Sequence, residues 1–279
     1  MKQYSKELLI KLETEALNIR RNVWRALYAA GSGHVGGSCS AADLLAVLYF
    51  YYMKYRADKP DWEERDRFIL SKGHANAALA AVLARAGFFS ESLLDDFYSY
   101  RSLMGMHPDI KLAGVEMSTG GLGHGLSIGV GMALGQRLQG QTAKTFVLLG
   151  DGEIQEGSNW EAAMAGSNLN LANLVGIIDF NKIQQSARVE HVMRVEPLVE
   201  KWVSFGWSVK EINGHKMTDI MSGFDELPYS TSQPSLIIAH TVKGKGVSFA
   251  ENTYEWHQNI IDKETYQRAL AELGEKPRC

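Results

Sequence analysis

Apolar residues at Leu9, Leu12, Ala16, Ile19, Val23 and Leu27 recur three to four positions apart, which predicts an amphipathic helix from Lys6 to Tyr28. A Gly-rich loop, Gly31 to Gly37, comes next. Ala41 to Tyr52 is apolar nearly all round, the pattern of a buried helix, with Ser38 or Ser40 available as its cap. Arg67 to Leu70 reads as a short strand. Helices are predicted over Ala75–Ala86, where Gly87 stops the pattern, over Ser90–Tyr100 and over Leu126–Leu138. Short apolar runs return at Thr145–Leu149, Leu174–Ile178, Trp207–Ile212 and Ser235–Thr241, with a loop at Leu227–Pro234 and a last helix at Lys263–Leu273. Runs without polar alternation suit parallel strands covered on both faces. The alternation of helix and strand therefore predicts a single α/β domain over residues 1–279: a doubly wound, mostly parallel sheet flanked by helices, with ligands outside the carboxyl ends of its strands.

Composition narrows the function. With 279 residues and 45% hydrophobic content the chain can bury a large core. Its 29 basic and 32 acidic residues are well mixed and sum to −3, which offers no footprint for nucleic acid or an anionic membrane. Partners are then small molecules or proteins. No charged leader precedes an apolar stretch at Met1–Ser5, and no run of about 18 apolar residues exists to span a bilayer, so a cytoplasmic protein is expected. Two cysteines, Cys39 and Cys279, give neither a disulfide framework nor a metal cluster; Cys39 reads as a small buried side chain.

The chemistry concentrates between two strands. Gly150-Asp151-Gly152 follows the run at 145–149, and after 28 more residues Asn181 follows the run at 174–178. A right-handed β-α-β crossover would bring both residues to one sheet edge. An Asp carboxylate, an Asn amide oxygen and a backbone carbonyl are hard ligands suited to Mg2+, whose octahedron phosphate and water oxygens complete. Gly-Asp-Gly alone is equally a turn signal; the spaced Asn and the two strands are what make it informative. Four histidines add to it: His34, His74, His107 and His257 stand in Gly- or Pro-containing loops rather than on apolar faces. Singly, each reads equally as a hydrogen-bonded loop residue. Together they offer donors for a diphosphate and proton carriers near neutral pH.

The segments Gly150–Gly157 and Asp179–Ile183, with the Gly-Asp-Gly to Asn spacing, carry the thiamine diphosphate motif, and they resemble transketolase. The resemblance runs from about Arg20 to His257. It implies thiamine diphosphate and Mg2+ as cofactors, Ca2+ or Mn2+ being able to replace the latter, with Asp151, Asn181 and the carbonyl of Ile183 as metal ligands. It implies cofactor contacts from His74, Gly121, Leu122, Gly123, Gly150, Asp151, Gly152, Asn181 and His257. The same resemblance assigns His34, His74, His107 and His257 catalytic parts and places Glu156 and Glu161 at a dimer interface, where exposed helix-start acids read the same way. Three departures stand out: Met106 replaces a Gly before His107, Gln258 replaces the Gly after His257, and His124 stands where Gln is frequent. Lys243 and Lys245, between glycines, are further contacts or simply a solvated loop.

What the resemblance implies overall is transfer of a two-carbon ketol unit from a ketose phosphate to an aldose phosphate, as in the pentose phosphate pathway. It corresponds only to the family's first domain, and after His257 one short helix remains. The expectation is the amino-terminal subunit of a split transketolase, active only with a separate carboxy-terminal subunit. Gly125, Gly129 and Ala133, one turn apart, suggest self-association that the partner converts to a heterotetramer, unless they pack on the sheet. Other readings are another thiamine diphosphate enzyme (deoxyxylulose-phosphate synthase, a 2-oxo acid dehydrogenase α chain, a ketolase for an unusual sugar) or a non-catalytic cofactor-binding module. A dinucleotide fold requires Gly-x-Gly-x-x-Gly after its first strand, and the Gly150 segment does not supply it.

Overall fold

The computed structural model describes residues 3–275, so Cys279 and the first two residues of the Met1–Ser5 segment lie outside the described residues. The chain opens with α1 (Lys6–Ala30), β1 (Ser32–Gly33), α2 (Val35–Ser40), α3 (Ala42–Val47), β2 (Arg67–Leu70) and α4 (Asn76–Arg85). It continues with α5 (His124–Leu138), β3 (Thr145–Gly150), α6 (Gly157–Asn168), β4 (Leu174–Phe180), α7 (Val189–Val192), α8 (Leu198–Ser204) and β5 (Ser208–Asn213). The last elements are α9 (Met217–Asp225), β6 (Ser235–His240), β7 (Asn259–Ile260) and α10 (Lys263–Glu272).

Five strands form one parallel sheet in the order β2-β3-β4-β6-β5. Alternate residues of each central strand feed opposite cores, as a two-residue side-chain period requires. Phe146, Leu148, Val175, Ile177, Ile237 and Ala239 join α1, α3, α4 and α9 in one core. Val147, Leu149, Leu174, Ile178, Leu236 and Ile238 join α5, α6 and α8 in the other. The sheet is thus double-faced, and its central strands β3, β4 and β6 are mostly apolar for that reason, whereas the edge strand β5 carries Lys210 and Glu211. The crossover from β4 through α8 passes over one position to β5, and α9 returns on the opposite face to seat β6 between them. Among the described residues no helix is long and apolar enough to cross a membrane.

Three local expectations are corrected. Helix begins already at Val35 inside the Gly-rich loop, where Gly36 admits the Lys243 stem and Gly37 the His74 ring, and the predicted Ala41–Tyr52 helix ends in a π-helical turn, Leu48–Tyr52. Neither serine caps it: Ser38 Oγ donates to the His34 carbonyl at 2.7 Å and Ser40 Oγ to Asp179 at 2.6 Å. The segment Ser90–Tyr100 forms only a 3-10 turn, Glu91–Asp96, its apolar side chains Leu94 and Phe97 being turned into the core of α1 and α4.

The small-residue stripe of α5 is used inside the molecule. A Cβ on Gly129 would stand 2.5 Å from Val147 Cγ2, and one on Gly125 2.2 Å from Ser71 Oγ, so both glycines exist to seat α5 on the sheet rather than to receive a second copy. On the outer side of the same helix Gly131 has nothing within 4 Å. Gly129→Ala is expected to lower stability by about 1–3 kcal/mol through overpacking, whereas Gly131→Ala should raise it by up to about 1 kcal/mol through helix propensity. Urea denaturation of the two variants checks the opposite signs.

Candidate active site

Every segment singled out for its chemistry lies at the carboxyl edge of the sheet. Asp151 follows β3 and Asn181 follows β4, and the two strands are adjacent and parallel with Gly150 opposite Asp179. Asp151 is 3% exposed; one carboxylate oxygen accepts from Gly152 N at 2.8 Å and the other from Lys182 N. Asn181 Oδ1 accepts from Ile183 N at 3.1 Å, a tight turn just after β4. Among the described residues no three His, Cys, Asp or Glu side chains converge as a metal site. The donor set here is one carboxylate with two neutral oxygens, a charge-poor set that suits a divalent cation delivered with phosphate oxygens. Burial, and after it the charge of Asp179, pushes Asp151 up to about 7.

Three imidazoles meet in front of these oxygens. The two-stranded antiparallel ribbon of β1 and β7 pairs Gly33 with Asn259, which sets His34, next along the chain, against the His257 end of the other strand. The rings of His34, His74 and His257 lie 5.1 to 5.3 Å apart, centroid to centroid. Burial drives His34 down to about 4, helped by His107 and Lys243, and His257 down to about 3. His74 is pushed well below its ordinary value by burial and by its cationic and imidazole neighbours. All three are neutral at physiological pH and can donate through one nitrogen while accepting through the other. His34 Nδ1 is buried and has no hydrogen-bond partner within the protein.

His107 sits at the rim. Its ring packs against Gly120, where a Cβ would come within 3.1 Å of Cγ, and Asn76 Nδ2 holds its loop by donating to the Gly105 carbonyl at 2.8 Å. Gly123 adopts φ +88°, and a side chain there would run into Glu156 and Ser158 at 2.6 Å, so the loop Gly121–Leu122–Gly123 presents backbone while Leu122 is exposed. Glu156 and Glu161 lie exposed at the start of α6, away from the histidines. His124, also exposed, opens α5.

The two lysines of the Gly-rich turn part company. Lys245 reaches outward to Glu251 at 3.1 Å. Lys243 is 2% exposed and donates to the Ile183 carbonyl at 2.7 Å and to His257 Nδ1 at 2.8 Å. Burial lowers it to about 8 against the pull of Asp151. It joins the metal-type oxygens to the histidine cluster.

Beneath lies a polar hub that motif reasoning passed over. Asp179, wholly buried at the end of β4, accepts from Lys72 Nζ at 2.5 Å, from Ser40 Oγ at 2.6 Å, from Asn181 Nδ2 at 3.1 Å and from Thr241 Oγ1. Lys72 also donates to the Gly37 carbonyl at 2.8 Å. Burial opposes the charge on Asp179, but Lys72 overcomes it and holds the carboxyl below its ordinary value. A signal did exist: an Asp inside the otherwise apolar Leu174–Phe180 run must have a buried cation. A cavity of about 530 Å³ between α1 and α10 lies elsewhere, and its Arg25 and Arg85 are already held by Asp95, Glu15 and Glu91.

Lys72→Met leaves a buried carboxylate without its cation and should cost about 3–5 kcal/mol, while Lys72→Met combined with Asp179→Leu should cost less than the single change. Urea denaturation at pH 7 reads both; a single-variant loss below about 1 kcal/mol would count against the hub. The depressed histidines also fix a pH dependence. Between their ordinary value near 6.5 and their folded values, the unfolded chain takes up protons at these histidines that the folded chain refuses, so their contribution to stability falls as pH drops from about 6.5 to 4. Melting temperatures across that range should decline less steeply in His34→Gln than in the parent.

Comparison with known proteins shows the family of the chain. The sequence pattern of the transketolase thiamine diphosphate binding domain matches residues 13–279. The chain is 43% identical over 265 residues to an apulose-4-phosphate transketolase subunit of Phocaeicola vulgatus, covering 95% of this chain and 94% of that one. It is 39% identical over 268 residues to a 6-deoxy-6-sulfo-D-fructose transketolase subunit of a Clostridium species, covering 96% and 98%. Human transketolase is 37% identical over 279 residues, which span 98% of this chain but 44% of that one. The transketolase structure from Leishmania mexicana matches with a TM-score of 0.91 at 29% identity, covering 96% of this chain and 42% of that one. The chain therefore spans nearly the whole of the two subunit relatives and less than half of the longer transketolases.

Proposed function

The chain belongs to the transketolase family and carries its thiamine diphosphate binding domain, and on that premise we propose that it is the amino-terminal subunit of a two-chain transketolase. The observation that carries the reading is the meeting, at one sheet edge, of a one-carboxylate oxygen set with three neutral imidazoles and a buried lysine. That relatives of the same length are named as transketolase subunits supports a separate carboxy-terminal partner.

The residues present fit the cofactor. Asp151, Asn181 Oδ1 and the Ile183 carbonyl would hold Mg2+, or Ca2+ or Mn2+ in its place, and the cation would keep Asp151 ionised despite its burial. Lys243, His74, His257 and the glycines Gly150 and Gly152 would face the diphosphate, and Gly121, Leu122 and Gly123 the ring system. Thiamine diphosphate, when bound, supplies the carbon nucleophile and electron sink for breaking a carbon–carbon bond beside a carbonyl. The protein's own part is positional and electrostatic. His34 and His107, on the open side of the cluster, would bind sugar hydroxyls and steady the oxygen whose charge grows as the bond breaks or forms. His34 can both donate and accept because burial keeps it neutral. Glu156 and Glu161 would lie between two copies of the chain, giving a heterotetramer of two copies and two partners.

A second reading stays within the same chemistry. The two subunit relatives are named for apulose 4-phosphate and 6-deoxy-6-sulfo-D-fructose, which favours an unusual ketose as donor over the common pentose phosphate pathway sugars. Both readings meet in one assay. The chain alone and the chain co-expressed with a carboxy-terminal transketolase subunit are offered fructose 6-phosphate, xylulose 5-phosphate, apulose 4-phosphate and the sulfo-sugar. Two-carbon transfer is expected only from the mixture, with at least a hundredfold loss in Asp151→Ala together with loss of Mg2+-dependent cofactor binding. Transfer by the unaided chain, or full cofactor binding in Asp151→Ala, would contradict the proposal.

A further inference from the structure

Glu153 is a second carboxylate buried under this edge, and none of the chemistry assigned to the site uses it. It is 3% exposed, yet every group around its carboxylate donates. Oε1 accepts from Ser71 Oγ at 2.5 Å and from Gly123 N at 3.0 Å, and Oε2 accepts from Gly150 N at 2.9 Å. The donors come from three segments far apart in sequence: the end of β2 that leads into Lys72 and His74, the loop Gly121–Gly123, and the end of β3 that leads into Asp151. Helix α6 supports it from behind, Asn159 Nδ2 donating to the Glu153 carbonyl at 2.8 Å.

We infer that Glu153 is the positioning residue that sets the separation between the ring-facing loop at Gly121–Gly123 and the diphosphate-facing turn at Gly150–Gly152. The inference rests on reading this edge as a thiamine diphosphate cradle, and it concerns a residue that touches neither cofactor nor substrate. Its physical basis is complementarity. Two backbone N–H groups of different loops, both pointing into the interior, need acceptors. A carboxylate supplies two oxygens on a rigid plane, about 2.2 Å apart, and so fixes the loops relative to each other as two independent acceptors could not. A glutamine cannot replace it. Whichever way its amide is turned, its N–H₂ faces either Gly123 N–H or Gly150 N–H, and one loop loses its anchor. Because a charged acceptor makes the stronger hydrogen bond, the loss falls on the spacing of the cradle more than on the fold.

The test uses the full chain, free and assembled with its carboxy-terminal subunit, and compares the parent with Glu153→Gln. In the free chain, hydrogen exchange is expected to quicken at least tenfold in peptides holding Gly123 and Gly150 and to stay unchanged in β4. In the assembly, the Kd for thiamine diphosphate at saturating Mg2+ should rise at least tenfold, while kcat at saturating cofactor stays within threefold of the parent. Unchanged exchange at Gly123 and Gly150, or unchanged cofactor Kd, overturns the inference. Should Glu153→Gln fail to fold, Glu153→Asp carries the test: it keeps the charge but, one methylene shorter, reaches only one of the two N–H groups, so the same tenfold rise is expected and its absence is decisive. A parent assembly that binds no thiamine diphosphate would instead overturn the proposed function, and the exchange result would still report whether Glu153 ties the two loops.

Discussion

One buried ion pair organises the catalytic edge of this protein. Asp179 ends β4 in a place without water, and its charge is tolerable only because Lys72 and three neutral donors surround it. Each donor arrives from a different part of the chain: Ser40 from the first helical layer, Lys72 from the end of β2, Thr241 from the end of β6, Asn181 from the turn after β4. To satisfy one carboxylate the molecule must bring all four together. That same act fixes the Asn181 side chain, draws the Gly37 loop toward the strands through Lys72, and starts the turn that carries Lys243. The geometry above the hub is a consequence of the electrostatics below it.

The layer above works by the opposite rule. Where the hub concentrates charge, the histidine cluster removes it: packing imidazoles 5.1 to 5.3 Å apart beside two buried ammonium groups makes a proton on any of them unfavourable. A neutral imidazole is the better partner for hydroxyl groups, since it offers a donor and an acceptor without imposing a sign. Asp151 shows the complementary bias. Burial and Asp179 favour its neutral form.

Much of this was legible in the chain. The central strands at 145–150, 174–180 and 235–240 announce themselves as short apolar runs because the sheet is covered on both sides there, while the edge strand at 208–213 carries Lys210 and Glu211. The Asp151 and Asn181 spacing needed only the handedness of a crossover, and His34 and His74 needed only their glycine neighbours. What could not be read were interactions between distant segments. Ser40 looks like a helix cap until Asp179 claims its hydroxyl, and Ser90–Tyr100 looks helical until Phe97 is drawn into the core. Small residues on α5 carry no label saying which neighbour they admit, and Val147 supplies it only in three dimensions. Lys243 and Lys245 are equivalent in sequence and opposite in fate for the same reason.

The interlock of the Gly31–Gly37 loop with the turn after β6 has a consequence for how the protein is made. Gly244 N donates to the Gly36 carbonyl, the Lys243 stem lies over Gly36, and β7 pairs with β1, so segments more than two hundred residues apart close on each other. During synthesis from the amino terminus, α1 through α4 leave the ribosome long before their counterparts exist. The glycine-rich loop must wait, with Asp179 and His257 still untranslated, and the site can form only as one of the last events of folding rather than as a nucleus. A chain interrupted just after β6 would therefore hold most of its hydrophobic core but lack Lys243 and His257, which leaves quality control, not function, as the first thing to meet an incomplete product.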